Sequence, residues 1–173
     1  MQSTKGLYTT LKTDDISEVC WYADAAFAIH QDMKSHTGGV MMMGKGCMIT
    51  ISSKQKINMK SSMEAELVGV DDVLGPLLWT KNFLEAQGYK SQKMVLYQDN
   101  TSAMLLEKNG RESASKRTHH INIRYFFIKD HIQAKDLEVK YCPTDDMVAN
   151  YLTKPLKGAK FKKFRKAIMN LSH

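Results

Sequence analysis

KMVLYQDNTSA, residues 93–103, is the stretch whose reading decides the fold. Met94, Val95, Leu96 and Tyr97 are four apolar residues in a row, β-branched and aromatic among them, and they suit a short strand buried on both faces. Asp99 stands where that strand should end. Asn100 or Thr101 can then cap a helix running through Leu105 and Leu106. In open α/β sheets, ligands bind in the crevice beyond the carboxyl ends of the strands, so Asp99 is the first residue to suspect of chemistry. Asp is also common in strand-to-helix turns for backbone reasons, and taken alone that is the better reading.

Working upstream, Ser61 to Gln87 has the spacing of a long helix, with Met63, Leu67, Val70, Leu74, Leu77 or Leu78 and Leu84 on one face. Ser61 and Glu64 fit a capping box, Gly75-Pro76 predicts a kink, and Gly88 ends the helix. Before it come three strands: Val19 to Ile29, Gly38 to Met43 and Cys47 to Ser52, the last two joined by a Gly44-Lys45-Gly46 hairpin. Downstream, Arg111 to Ser115 is a polar loop. Lys116 to Lys135 is a helix with Ile121, Tyr125, Ile128 and Ile132 inward. Leu137 to Cys142 is a last strand, and Asp145 to Leu152 a short helix with Thr144 as its N-cap. The expected class is α/β, a five-stranded mixed sheet flanked by helices, with three antiparallel strands first and alternation after. Residues 1–18 read as an entry segment, 19–156 as the domain and 157–173 as a basic C-terminal helix or tail.

The chain has 173 residues, 43% hydrophobic and 25% charged, which is a globular composition with enough length for a real core. No apolar run is long enough for a membrane span and no signal peptide opens the chain, so no membrane partner is expected. Cys20, Cys47 and Cys142 are far apart and form no CxxC pair, as in a reduced intracellular protein. The net charge is +7, and Lys154, Lys157, Lys160, Lys162, Lys163, Arg165 and Lys166 follow residue 150 without an acid among them. Such a segment suits a polyanion, most often nucleic acid, and equally a solvated helix face.

Three acids stand out: Asp24 inside the apolar first strand, Glu66 beside the buried stripe of the long helix, and Asp99. Glu64 has a capping role and Glu66 has none. If their elements are neighbours, the three carboxylates converge. Clustered carboxylates repel one another unless cations neutralise them. Hard divalent ions with oxygen ligands do so, and two such ions about 3.5–4 Å apart can hold both sides of a phosphoryl transfer.

The segments WYADAAFA (21–28), DMKSHTGG (32–39), SSKQK (52–56), KSSMEAEL (60–67), YQDNTSAM (97–104), KRTHHINIRYFFI (116–128), YCPTDDMVAN (141–150) and LTKPL (152–156) run in one order along the chain. In these segments the sequence resembles the ribonuclease H domain at the carboxyl end of copia-type retrotransposon Pol polyproteins. The resemblance implies a ribonuclease H-like fold and cleavage of the RNA strand of RNA–DNA hybrids during reverse transcription. It also implies two Mg2+ ions (or Mn2+), the reverse transcriptase domain of the same polyprotein as partner, and the cytoplasmic particle of the element or the nucleus as its place. By the same resemblance Asp24 bridges both ions, Glu66 holds the ion near the leaving 3′ oxygen, and Asp99 helps hold the ion that activates water.

The chain departs from the family at Asn150, where an acid is usual. An amide oxygen is a weaker, neutral ligand, and its position is expected in the second turn of the last helix, pointing to the sheet ends. Asp146, four residues earlier, is either a partial substitute or an exposed first-turn acid. Expected substrate contacts are Asn100 and Ser102 beside Asp99, Thr37 and Gly38 in the loop after the first strand, and the basic helix start of Lys116, Arg117, His119, His120 and Arg124. Adjacent His119 and His120 point apart on a helix and are not a metal pair. Three functions compete: an active hybrid ribonuclease weakened by Asn150, a non-catalytic nucleic-acid-binding module, and a structural remnant of a polyprotein.

Overall fold

Val19, Trp21, Ala23 and Ala25 alternate with Cys20, Tyr22 and Asp24, so the first strand, β1 (Glu18–Ala26), has two different faces and must be covered on both. The computed structural model describes residues 6–12, 17–89, 93–104 and 119–171. After β1 come β2 (His36–Met42), β3 (Cys47–Lys54), α1 (Ser62–Ala86), β4 (Lys93–Gln98), α2 (His119–Gln133), β5 (Glu138–Tyr141), α3 (Asn150–Thr153) and α4 (Gly158–Met169). The strands form one sheet in the order β3-β2-β1-β4-β5. β1 pairs antiparallel with β2 and parallel with β4, β2 pairs antiparallel with β3, and β4 pairs parallel with β5. This is the mixed five-stranded α/β sheet that the sequence predicts.

The sheet carries a core on each face. On one face Trp21, Ala23, Met94 and Leu96 pack with Leu67, Val70, Leu74 and Leu77 of α1 and with Ile128 of α2. On the other, Val40 packs with Cys142, Met147, Val148 and Ala149 and with Phe164 of α4, which is fully buried. The basic C-terminal segment therefore contributes to a core as well as to charge. Two of its lysines face acids: Lys160 Nζ lies 2.8 Å from Asp145 Oδ1, and Lys163 Nζ 2.7 Å from Asp146 Oδ1. Among the described residues no helix is long and apolar enough to cross a membrane. Cys20, Cys47 and Cys142 are free thiols.

Several local expectations change. β1 stops at Ala26 rather than Ile29, because the chain turns through Ala28 in the left-handed region (φ 52°). β2 begins at His36, so Thr37 and Gly38 are strand residues and not part of the preceding loop. The expected helix from Asp145 to Leu152 is instead a run of turns followed by a short α3. Its hydrogen bonds close mostly over three residues, as in Asn150 N to Met147 O (3.1 Å) and Tyr151 N to Val148 O (3.1 Å). Thr144 does not cap a helix. The long helix α1 keeps its cap: Ser61 Oγ accepts from Glu64 N (3.2 Å), while the Glu64 carboxylate accepts from Lys60 N (2.7 Å), and the helix runs on through Pro76. The helix expected through Leu105 and Leu106 is described only at 101–104, and Leu105, Leu106 and Arg111–Ser115 lie outside the described residues.

If the basic segment is integral to the fold, Phe164→Ala should lower the unfolding free energy by about 3–5 kcal/mol. Urea unfolding followed by circular dichroism measures it. A loss below about 1 kcal/mol would mean that α4 is dispensable.

Candidate metal centre at the sheet end

Parallel pairing puts the carboxyl ends of β1 and β4 side by side. The last paired residues are Tyr22 and Tyr97, whose rings stack with centroids 4.8 Å apart. Two residues further along each strand stand Asp24 and Asp99, so the ladder register alone makes them neighbours. Glu66 reaches the same point from the first turns of α1, where its Oε2 accepts a hydrogen bond from Ala25 N at 3.1 Å. Gly69, one turn on, faces β1 at Ala25. One carboxylate oxygen from each of Asp24, Glu66 and Asp99 lies within 4.8 Å of the others.

Burial makes this cluster costly without a cation. Asp24 is 1% exposed and Glu66 7%. Burial, then the charges of Asp24 and Asp99, push the Glu66 carboxyl up to about 9, so it holds a proton at neutral pH when no cation is bound. The donor set is three carboxylate oxygens and no nitrogen or sulfur, spread over roughly twice the 2.0–2.6 Å of a magnesium- or calcium-oxygen bond. These residues fit a hard divalent ion.

The other partners of Asp24 come from the far end of the chain. Thr153 Oγ1 donates to Asp24 Oδ2, and Lys154 Nζ lies 3.1 Å from Asp24 Oδ1. Gly38 makes this possible. It is the ladder partner of Asp24 on β2, and α3 packs directly onto it: a Cβ at residue 38 would stand 2.6 Å from Thr153 Cγ2 and 2.9 Å from Ala149 O. Ser52 Oγ, on β3, also donates to Leu152 O at 3.3 Å.

Asn150 is the first residue of α3 and fully buried, not in a second turn. Its Nδ2 donates to Thr144 O at 3.0 Å, and its Oδ1 accepts from Lys154 Nζ. Thr144 Oγ1 in turn donates to Asp99 Oδ2 at 3.0 Å. The amide thus uses both its donor and its acceptor, which a carboxylate at this position could not do. Asp146 is exposed, paired with Lys163 and outside the cluster.

The expected substrate contacts fare unevenly. Thr37 is fully buried, its hydroxyl donating to Asp72 Oδ2 (2.7 Å) and accepting from Gln55 Nε2 (3.1 Å). Thr37 and Gly38 are therefore internal packing residues with no free approach to phosphate. Arg124 pairs with Asp71 of α1 at 3.3 Å, joining two helices rather than offering a free charge. Asn100 is half-buried and caps residues 101–104 through Oδ1 to Ala103 N (3.1 Å), and Ser102 is exposed. Lys116 and Arg117 lie outside the described residues, as do the side chains of His119 and His120. Sequence reasoning missed Thr144, Thr153 and Lys154.

No protein-family model matches the chain. It is similar to the N-terminal ribonuclease H domain of rv2228c from Mycobacterium tuberculosis (TM-score 0.52, 11% identity, 84% of this chain and 97% of that one). It is also similar to LC11-RNase H1, isolated from compost by a metagenomic approach and solved in complex with an RNA/DNA hybrid (TM-score 0.56, 12% identity, 75% and 88%). By fold the chain is a ribonuclease H-like domain. In sequence it is 33% identical over 141 residues to the retrovirus-related Pol polyprotein from transposon TNT 1-94 of Nicotiana tabacum, covering 81% of this chain and 10% of that polyprotein. It is 32% identical over 160 residues to that of transposon RE2 of Arabidopsis thaliana, covering 92% and 10%. The chain belongs with the ribonuclease H portion of these transposon Pol polyproteins and spans about a tenth of their length.

Glu66 binds its proton more tightly folded than unfolded. The stability it contributes is therefore complete below its ordinary value of 4.5 and is lost as pH rises through about 9. In EDTA, Glu66→Gln should melt with the parent near pH 4.5 and several degrees above it at pH 9, on a scale of roughly 2–8 °C per kcal/mol. Parallel melting curves at both pH values would mean that Glu66 is not held in this environment.

Proposed function

We propose that the chain is a divalent-metal-dependent endonuclease that cuts the RNA strand of RNA–DNA hybrids during reverse transcription, and that Asn150 weakens it. The single observation that carries this reading is the convergence of Asp24, Glu66 and Asp99 at the sheet end of a ribonuclease H-like fold. Asp24, Glu66 and Asp99 would hold the metal. Bound there, Mg2+ or Mn2+ would supply charge stabilisation at the reacting phosphate and a more acidic water. The chain's own part is positioning. β1 and β4 present two carboxylates in fixed register, α1 brings the third, and Ala25 N fixes its direction. Ser102 is exposed beside Asp99, where it suits a contact to the RNA backbone. A hybrid as substrate accords with LC11-RNase H1, solved with an RNA/DNA hybrid, and a reverse transcriptase domain of the same polyprotein is the partner we propose from the likeness to transposon Pol polyproteins.

A second reading, a hybrid-binding module without catalysis, draws on one observation. Asn150 is fully used by Thr144 and Lys154, as a settled structural residue would be.

Cleavage of a labelled RNA–DNA hybrid in Mg2+ or Mn2+ tests both. Asp24→Asn and Asp99→Asn should each reduce cleavage by about a thousandfold or more, a loss of roughly 4 kcal/mol of barrier lowering. Asn150→Asp should raise it by at least about tenfold. Cleavage that survives Asp99→Asn would remove the site assignment. Hybrid binding without cleavage in the parent and in Asn150→Asp would favour the binding module.

A further inference from the structure

Asp24 is buried, yet neither of its oxygens waits for a ligand from solution. Oδ2 is held by the Thr153 hydroxyl and Oδ1 by the Lys154 ammonium. That ammonium also holds Asn150 Oδ1, so one nitrogen joins the first-strand acid to the residue that departs from the family pattern. The position of Lys154 is anchored from both sides. α3 rests on the bare backbone of Gly38, its Leu152 carbonyl accepts from Ser52, and its first residue is tied to Thr144.

Asp24 thus has two sides. Towards Glu66 and Asp99 it faces two carboxylates, one oxygen of each lying within 4.8 Å of an oxygen of Asp24. Towards Asn150 it faces a neutral amide and a cation that is part of the chain. A buried carboxylate needs a compensating charge, and an ammonium provides one. A divalent ion on the Asn150 side would have to displace that ammonium while gaining only one charged ligand.

We propose that Lys154 is a built-in cation: its ammonium occupies the Asp24–Asn150 side of the centre, so that the chain takes one divalent ion, on the Asp24–Glu66–Asp99 side. This rests on the metal-centre reading above and deepens it. Lys154 is then a positioning residue that holds Asp24 in its orientation, and it sets the metal stoichiometry. Lys154 is the extended C-cap of α3, and its backbone N–H bonded to Asn150 O keeps the two residues together.

Titration of the full-length chain with Mn2+, reading free ion by electron paramagnetic resonance, tests the proposal without any assay of cleavage. The parent should bind one ion. Lys154→Met keeps the aliphatic stem and removes the charge, and it should bind Mn2+ at least about tenfold more tightly, because the repulsion between ammonium and dication is gone. The double variant Lys154→Met/Asn150→Asp should bind two ions, and Lys154→Arg should return the count to one. In EDTA, Lys154→Met should melt below the parent, since Asp24 loses its partner. Two ions in the parent would overturn the proposal, whatever the variants do. Equal stoichiometry and affinities within about twofold for the parent and Lys154→Met would overturn it as well. If the parent binds no more Mn2+ than Asp24→Asn does, the metal-centre reading itself fails and the proposal falls with it.

Discussion

Two neighbouring buried carboxylates are the constraint on which the rest of this structure depends. Asp24 faces α3 from the end of β1, Glu66 reaches the same end from α1, and a buried carboxylate is tolerated only with hydrogen bonds and a cation, or as its protonated form. The fold provides all of these. Ala25 N serves Glu66, which keeps its proton when no cation is bound. Thr153 and Lys154 serve Asp24, and Thr144 serves Asp99.

The C-terminal segment that follows β5 looks different in that light. By composition its last 24 residues are basic. As structure it closes the centre. α4 buries Phe164 against the second core, Lys160 and Lys163 tether the acids of the turn before Asn150, and α3 places Thr153 and Lys154 over Asp24. Surface ion pairs of this kind add little stability singly, so the apolar contact holds the segment and the lysines select its orientation.

Asn150 reads as more than a lost ligand. Its amide donates to Thr144 O and accepts from Lys154, and through Thr144 it is linked to Asp99. The site is thereby organised around an amide and an ammonium on one side and three carboxylates on the other. Such an arrangement is internally satisfied, which a carboxylate simply deleted from a four-acid centre would not produce.

How far the residues alone carry the account depends on how local their physics is. The four-residue apolar run before Asp99, the capping box at Ser61 and the helical spacing of α1 are local patterns, and with them came the strand count, the sheet class and the order of elements. The acids at 24, 66 and 99 were legible for the same reason: each is a charge in an apolar setting, an anomaly visible in one dimension. Thr37, Gly38 and Arg124 were misread because a strand start and an interhelical ion pair depend on neighbours distant in sequence. Lys154 was invisible among seven cations, since nothing local separates a lysine that reaches a buried aspartate from one that reaches water. By itself the sequence determined the five strands, the long helix with its buried face and the three acids. Only the tertiary structure decided which residues share Asp24, because that depends on parallel register, on the bare backbone of Gly38, and on a helix packed across the sheet from a strand more than a hundred residues earlier.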